Sequence, residues 1–378
     1  MVIGKHVKGK KTTEKTEIPV SNKEVQIKEL EEELSTTKYN KATQKHFAVL
    51  KTKLAKLKES AEKVSGGAQG LGYGLKKEGD ATVLLVGFPS VGKSTLLNAI
   101  TNAESKVAAY DFTTLVVVPG MLDYKDTKIQ VFDIPGLVEG AAEGRGRGKE
   151  VISVARSGDL ILLLLDARKD AKQQMEIMEH ELYEAGFRLN EKPPGVQITR
   201  KATGGYDIAS SVKLTHLDRE TIKAVLQEFK ILSADVLIRQ DITVDQLIDA
   251  IMKNRIYVPC ITIVNKIDAG PVPELGRPCI PISADKNINL DALKEEIWKK
   301  LCFVRIYLKK TGKDADMDEP LIMHGQITAY DVAARIHREL AKQFLYARIW
   351  GPSARFPGQK VGMDRHLQDG DIVEFHNK

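Results

Sequence analysis

The chain reads as an α/β protein built around a P-loop nucleotide domain, and three features carry that reading. Gly87-Phe88-Pro89-Ser90-Val91-Gly92-Lys93-Ser94 directly follows the apolar run Val83-Leu84-Leu85-Val86. A buried strand that turns through two glycines into a helix aims its backbone N–H groups at one point, where a phosphate can sit. Two more apolar runs close on polar motifs: Ile129-Gln130-Val131-Phe132 on Asp133-Ile134-Pro135-Gly136, and Ile261-Thr262-Ile263-Val264 on Asn265-Lys266-Ile267-Asp268. Around this domain the patterns predict an N-terminal helical hairpin, an inserted α+β subdomain and a C-terminal β-grasp-like module.

Residues 1–20 carry Lys5, Lys8, Lys10, Lys11 and Lys15 among small polar residues, too little apolar content to pack, and read as a mobile basic tail. Residues 21–64 read as the hairpin. Ser21-Asn22-Lys23-Glu24 forms a capping box before Ile27, Leu30 and Leu34 at helical spacing. A second helix near 43–64 sets Phe47, Leu50, Leu54, Leu57 and Ala61 on one face, with Lys45, Lys51, Lys53, Lys56, Lys58 and Lys63 off it. Residues 1–64 hold fifteen lysines against nine glutamates, so the whole net charge of +6 resides there. Those lysines suit either a solvated helix face or a phosphate-backbone footprint on RNA. The glycines of residues 65–80 mark a linker.

The nucleotide domain is expected in two parts, 81–170 and 242–301. Ser90, Val91, Gly92, Lys93, Ser94 and Thr95 are the expected phosphate-binding residues, with Lys93 reaching the β/γ-phosphates. Ser94 and Asp133 are candidate Mg²⁺ ligands, since a carboxylate at the end of the neighbouring strand is where that ion needs its partner. Asn265, Lys266 and Asp268 suit guanine: Asp268 accepts from the base N1–H and amine, Asn265 ties the base loop to the P-loop, and the Lys266 stem covers the ring. Adenine offers no such donor pair. Ser283-Ala284 follows, where a backbone N–H could meet the guanine carbonyl.

Asp159 to Ala167 is a fully apolar central strand, yet the next of that kind starts only near Ile256. A crossover helix uses less than half of that gap. The rest, placed at 171–241, reads as an inserted α+β subdomain containing a hairpin of Val196–Arg200 and Tyr206–Ile208 around Gly204-Gly205. From 302 to 378, strands at 304–308, 347–350 and 371–375 flank one helix capped by Thr328 and running through Ala333, Ile336 and Leu340.

The three cysteines, Cys260, Cys279 and Cys302, lie at unrelated spacings, and the eight histidines form no ligand pair, which disfavours a disulfide framework or a zinc site. No apolar run approaches the ~20 residues needed to cross a bilayer, and the Lys-rich N-terminus lacks an apolar signal segment. A cytoplasmic protein without membrane contact is expected.

The P-loop, Tyr110-Asp111-Phe112-Thr113-Thr114-Leu115 and Asp133-Ile134-Pro135-Gly136-Leu137-Val138-Glu139-Gly140-Ala141 resemble the Obg-like translation-factor GTPases. More narrowly, Gly144-Arg145-Gly146-Arg147-Gly148, Arg188-Leu189-Asn190 with Lys192-Pro193-Pro194, and Tyr257-Val258-Pro259-Cys260 are similar to the developmentally regulated GTP-binding proteins. The resemblance, from about residue 40 onward, implies an insertion like the second domain of ribosomal protein S5 and a C-terminal TGS domain. It also implies GTP hydrolysis to GDP, Mg²⁺, action on ribosomes, rRNA or tRNA, and a regulatory protein partner; oligomeric state stays open. Lys93, Thr114 and Gly136 become the expected catalytic positions, with Thr113 or Thr114 a switch residue closing on Mg²⁺ and Thr114 chosen on position alone.

Two departures bear on the chemistry. Ras-like enzymes orient the attacking water with a glutamine after the motif glycine, and here that position is Leu137, so intrinsic turnover should be slow. GTPases that use K⁺ have an asparagine three residues before the P-loop lysine; this chain has Ser90, whose hydroxyl can still ligate a cation, so K⁺ stays open. Against the GTP-hydrolysing switch stands an RNA- or protein-binding scaffold in which GTP only orders the structure. An ATP-dependent kinase is disfavoured by Asn265 to Asp268.

Overall fold

A computed structural model describes residues 22–38, 40–64, 79–101, 118–133 and 157–377. The expected tail, most of the linker, and Thr113, Thr114, Gly136, Leu137, Arg145 and Arg147 lie outside the described residues. The chain begins with α1 (Asn22–Thr36) and α2 (Gln44–Val64). Next come β1 (Ala81–Gly87), α3 (Lys93–Ile100), β2 (Val118–Tyr124), β3 (Thr127–Asp133), β4 (Leu160–Asp166), α4 (Ala171–Glu184) and β5 (Phe187–Leu189). They are followed by β6 (Val196–Arg200), β7 (Tyr206–Ser210), α5 (Arg219–Glu228), β8 (Ala234–Ile238) and α6 (Val244–Met252). Then β9 (Ile256–Val258), β10 (Cys260–Asn265), β11 (Ile280–Pro281) and α7 (Leu290–Lys300) complete the nucleotide domain. The C-terminal module holds β12 (Phe303–Leu308), β13 (Leu321–His324), β14 (Ile327–Thr328), α8 (Ala329–Ile336), α9 (Arg338–Lys342), β15 (Phe344–Trp350), β16 (Gln359–Val361), β17 (His366–Leu367) and β18 (Asp371–Asn377).

The larger of two compact units covers residues 71–192 and 254–378. Its six-stranded sheet runs β11-β10-β4-β1-β3-β2, parallel except for the β2–β3 hairpin. β1 and β4 are buried along their whole length because helices cover both faces, which is why they read as unbroken apolar runs. One side of the sheet packs on α3 and α7, the other on α4 through Met175, Met178 and Leu182. The C-terminal module is a five-stranded sheet, β13-β12-β18-β15-β16, with β12 and β18 parallel, over a core that includes Val332 of α8. This is the β-grasp arrangement expected. Its helix, capped by a Thr328/Asp331 box, breaks at extended His337, which caps α9 in turn, so the single helix expected is two.

The smaller unit covers residues 1–70 and 193–253. Its sheet order is β6-β8-β7. The expected hairpin of 196–200 and 206–208 is therefore corrected: both strands pair with β8, antiparallel and parallel respectively, and β8 lies between them. The expected boundaries shift as well. α4 and β5, placed in the insertion from sequence, pack with the parallel sheet, while α6, placed in the nucleotide domain, belongs to the insertion's core. That core also takes Ala48 of α2, so the hairpin does not stand alone. Lys51 pairs with Asp245 at 2.6 Å, Lys56 donates to the Glu228 carbonyl and Lys58 pairs with Glu31 at 3.0 Å, which removes these three from the free lysines expected on that face.

Candidate functional site

The phosphate loop leaves β1 where the neighbours diverge, with β3 on one side and β4 on the other, a topological switch point. Gly87 is needed for that exit: a Cβ there would stand 2.8 Å from the Leu164 carbonyl oxygen. Ser90 at φ 62° and Gly92 at φ 98° then turn the chain into α3. No side chain caps α3, so its first-turn N–H groups face the loop interior with no side-chain acceptor. The Lys93 ammonium spans the loop, donating to the carbonyls of Gly87 at 2.9 Å and Phe88 at 3.1 Å. Val91 is buried beneath the turn, and Thr95 is exposed one residue beyond Ser94.

At the other side of the loop, the Ser94 hydroxyl donates to Asp133 Oδ2 at 2.9 Å. Asp133 closes β3 and is only 8% exposed. Its Oδ1 is buried without a hydrogen-bond partner among the described residues. A buried carboxylate oxygen left unpaired is costly unless something positive satisfies it. A hydroxyl and a carboxylate are hard oxygen donors of the kind Mg²⁺ takes, one or two from protein and the rest from phosphate and water. The residues present therefore fit that ion.

On the base side, Asn265 ends β10, 2% exposed, and joins three segments. Its Nδ2 donates to the Val91 carbonyl at 2.9 Å and its Oδ1 accepts from the Ala284 N–H at 3.0 Å. The expected link from Asn265 to the P-loop is thus present in the fold. At Ser283-Ala284, where a backbone amide is expected near the base carbonyl, the Ala284 N–H donates to Asn265 Oδ1 and the Ser283 N–H to the Ile288 carbonyl. Asp268 is exposed, and the neighbouring Ser283 hydroxyl is the main cause holding its carboxyl below the usual range.

Lys266, at φ 67°, sends its ammonium to the Ser90 carbonyl and to Asp166 Oδ2 at 2.9 Å. Asp166 closes β4, is 1% exposed, and also takes the Arg168 guanidinium in a two-point contact at 3.0 and 2.9 Å. Burial works against this charge, but the hydrogen bonds from Arg168 and Lys266 outweigh it and hold the carboxyl well below its ordinary range. Neither Asp166 nor Arg168 was expected from the sequence. The available signal was a carboxylate ending a seven-residue apolar strand with an arginine two positions later.

Among the described residues no helix is long and apolar enough to cross a membrane. Comparison with known proteins agrees with the motifs. Residues 82–201 match the family described as 50S ribosome-binding GTPase, 203–303 the C-terminal region of the MMR_HSR1 domain, and 304–377 the TGS domain. A GTP-binding protein of Methanocaldococcus jannaschii, described as uncharacterized, is 51% identical over 360 residues, covering 93% of this chain and 92% of its own. Developmentally-regulated G-protein 3 of Arabidopsis thaliana is 45% identical over 363 residues, covering 93% of this chain and 98% of its own. Developmentally-regulated GTP-binding protein 1 of Xenopus laevis is 44% identical over 361 residues, with the same coverage.

Proposed function

Because this chain belongs to the developmentally regulated GTP-binding proteins, a family of GTPases, we propose that it is a Mg²⁺-dependent switch that hydrolyses GTP at the Gly87–Ser94 loop and acts on ribosomes. The observation that carries the reading is the Ser94–Asp133 pair, with its second carboxylate oxygen buried and without a partner among the described residues, set against an uncapped helix start.

The loop N–H groups and the α3 N-terminus orient the phosphates of GTP, and Lys93 exchanges its carbonyl partners for β- and γ-phosphate oxygens. Ser94 and Asp133, joined by Thr114, would hold the ion, which when bound would supply positive charge against the phosphate oxygens. Asp268 reads the guanine donors and Asn265 keeps that reader in register with the loop. Leu137 cannot orient a water, so turnover without a partner is slow. Ser90 stands where K⁺-using GTPases have asparagine; its hydroxyl can still ligate a cation, so K⁺ activation stays open without the usual residue.

The ribosomal part of the reading is supported by the description of the family matched at 82–201 and by the TGS match at 304–377. Single-turnover GTP hydrolysis with and without ribosomes, in KCl and in NaCl, tests both. Acceleration by ribosomes is expected, and a rate indifferent to them would favour the scaffold reading, in which GTP only orders the structure.

A further inference from the structure

The carboxylate of Asp166 uses both of its oxygens. Oδ1 accepts from the Arg168 backbone N–H and Nε, each at 3.0 Å, and Oδ2 accepts from Arg168 Nη2 at 2.9 Å and Lys266 Nζ at 2.9 Å. The strand register explains why this residue can do so: Asp166 stands beside Asn265 in the β4–β10 pairing, so its side chain lies next to the residue that opens the base loop. Its backbone is fixed as well, with Gln174 of α4 accepting from the Asp166 N–H at 3.2 Å. Lys266 continues the connection to the Ser90 carbonyl. Both ends of that connection, Ser90 and Lys266, hold left-handed backbone angles that non-glycine residues seldom adopt.

A buried carboxylate paired with part-exposed cations does not by itself stabilise a fold, since desolvation offsets much of the attraction. Keeping one at the foot of a ligand loop makes physical sense where it sets geometry. We propose that Asp166 is a positioning residue for nucleotide binding: it anchors the Lys266 ammonium on the Ser90 carbonyl, so that base loop and phosphate loop keep one spacing before nucleotide arrives. This rests on the reading that Asn265 to Asp268 binds guanine. Preorganised loops lose less on binding, and the benefit is the same for GDP and GTP because neither Asp166 nor Lys266 faces the γ-phosphate chemistry.

The test is equilibrium affinity for GTP and GDP in Asp166→Asn, Lys266→Met and the double variant, with nucleotide-free melting alongside. Methionine keeps a stem over the ring and removes only the ammonium. Each single change should weaken GTP and GDP alike by about tenfold, and the double variant should be no worse than Lys266→Met alone. Normal affinity in folded Asp166→Asn, or losses that simply add, would overturn the proposal by assigning Asp166 to stability only. If Asp166→Asn does not fold, unchanged affinity in Lys266→Met overturns it, and equal tenfold losses for both nucleotides support it. Asp268→Asn in the same assay separates the two readings: if it fails to alter the GTP to XTP preference, the base-loop assignment is wrong, whereas a normal switch beside an unaffected Asp166→Asn sinks the anchor alone.

Discussion

Asn265 and Val91, 174 positions apart, are joined by a 2.9 Å hydrogen bond from the buried asparagine amide to the phosphate-loop carbonyl. Through the same side chain, whose oxygen takes the Ala284 N–H, the strand that ends in Asn265–Asp268, the Gly87–Ser94 loop and the Ser283–Ala284 loop meet at one corner.

That corner leaves no room at Gly92. A Cβ there would lie 2.5 Å from Asn265 Nδ2, and the φ of 98° is one that L side chains resist. Gly92→Ala should cost at least about 1–2 kcal/mol of stability from backbone strain alone and abolish measurable GTP binding. Calorimetric titration beside thermal melting checks this; a variant that melts and binds like wild type would mean the loop is not held as described.

Asp268 tests the choice of base. If Asp268 accepts the two guanine donors, removing its carboxylate should weaken GTP at least tenfold, about 1.4 kcal/mol. Asp268→Asn should shift preference toward xanthine nucleotides, whose base presents an acceptor where guanine has its amine. Competition between GTP and XTP reads this, and an unchanged ratio would place the base elsewhere.

Glu295 makes a pH-dependent contribution where the β2–β3 turn meets α7. Lys125 first, at 2.7 Å, and then the Tyr124 hydroxyl at 2.7 Å lower its pKa to about 2. A depressed folded pKa stabilises above the unfolded value, so this contribution is present at neutral pH and is lost as pH falls from about 4.5 towards 2. The urea midpoints of wild type and Glu295→Gln should differ at neutral pH and converge across that window. A constant gap would show that the charge plays no part.

For the ribosome, the packing of α2 decides which variant is informative. Deleting residues 1–64 would strip Ala48 and Leu50 from buried positions and open the insertion's core, so loss of binding would carry no information. Lys45 and Lys53 are exposed on α2, unlike Lys51, Lys56 and Lys58, which have partners. If α2 touches RNA phosphates, Lys45→Glu with Lys53→Glu should reduce the salt slope of ribosome co-sedimentation by about one per lost contact, leaving GTP affinity intact. Superimposable salt curves would rule out this face.

What the sequence reveals and what it hides follow from how local each signal is. The P-loop, Asp133 and Asn265 to Asp268 each follow a short, largely apolar strand, so a few adjacent residues locate them. The hairpin expected around Gly204-Gly205 fails because β8, more than twenty residues on, enters between the two strands, and pairing partners leave no mark in local alternation. α4 and α6 are both amphipathic, and nothing in such a pattern says which sheet will cover it. Asp166 is missed for the opposite reason: a single carboxylate at a strand end usually caps a turn, and its importance depends on a lysine 100 positions away.

On the proposed reading, Ser94 and Asp133 hold the Mg²⁺ that GTP hydrolysis needs. Single-turnover hydrolysis by wild type and Asp133→Ala, measured across Mg²⁺ concentrations, tests it most directly. Wild type should show saturable Mg²⁺ dependence, and the variant should need far higher Mg²⁺ and hydrolyse at least tenfold more slowly. A variant whose Mg²⁺ curve and rate overlay those of wild type would contradict it.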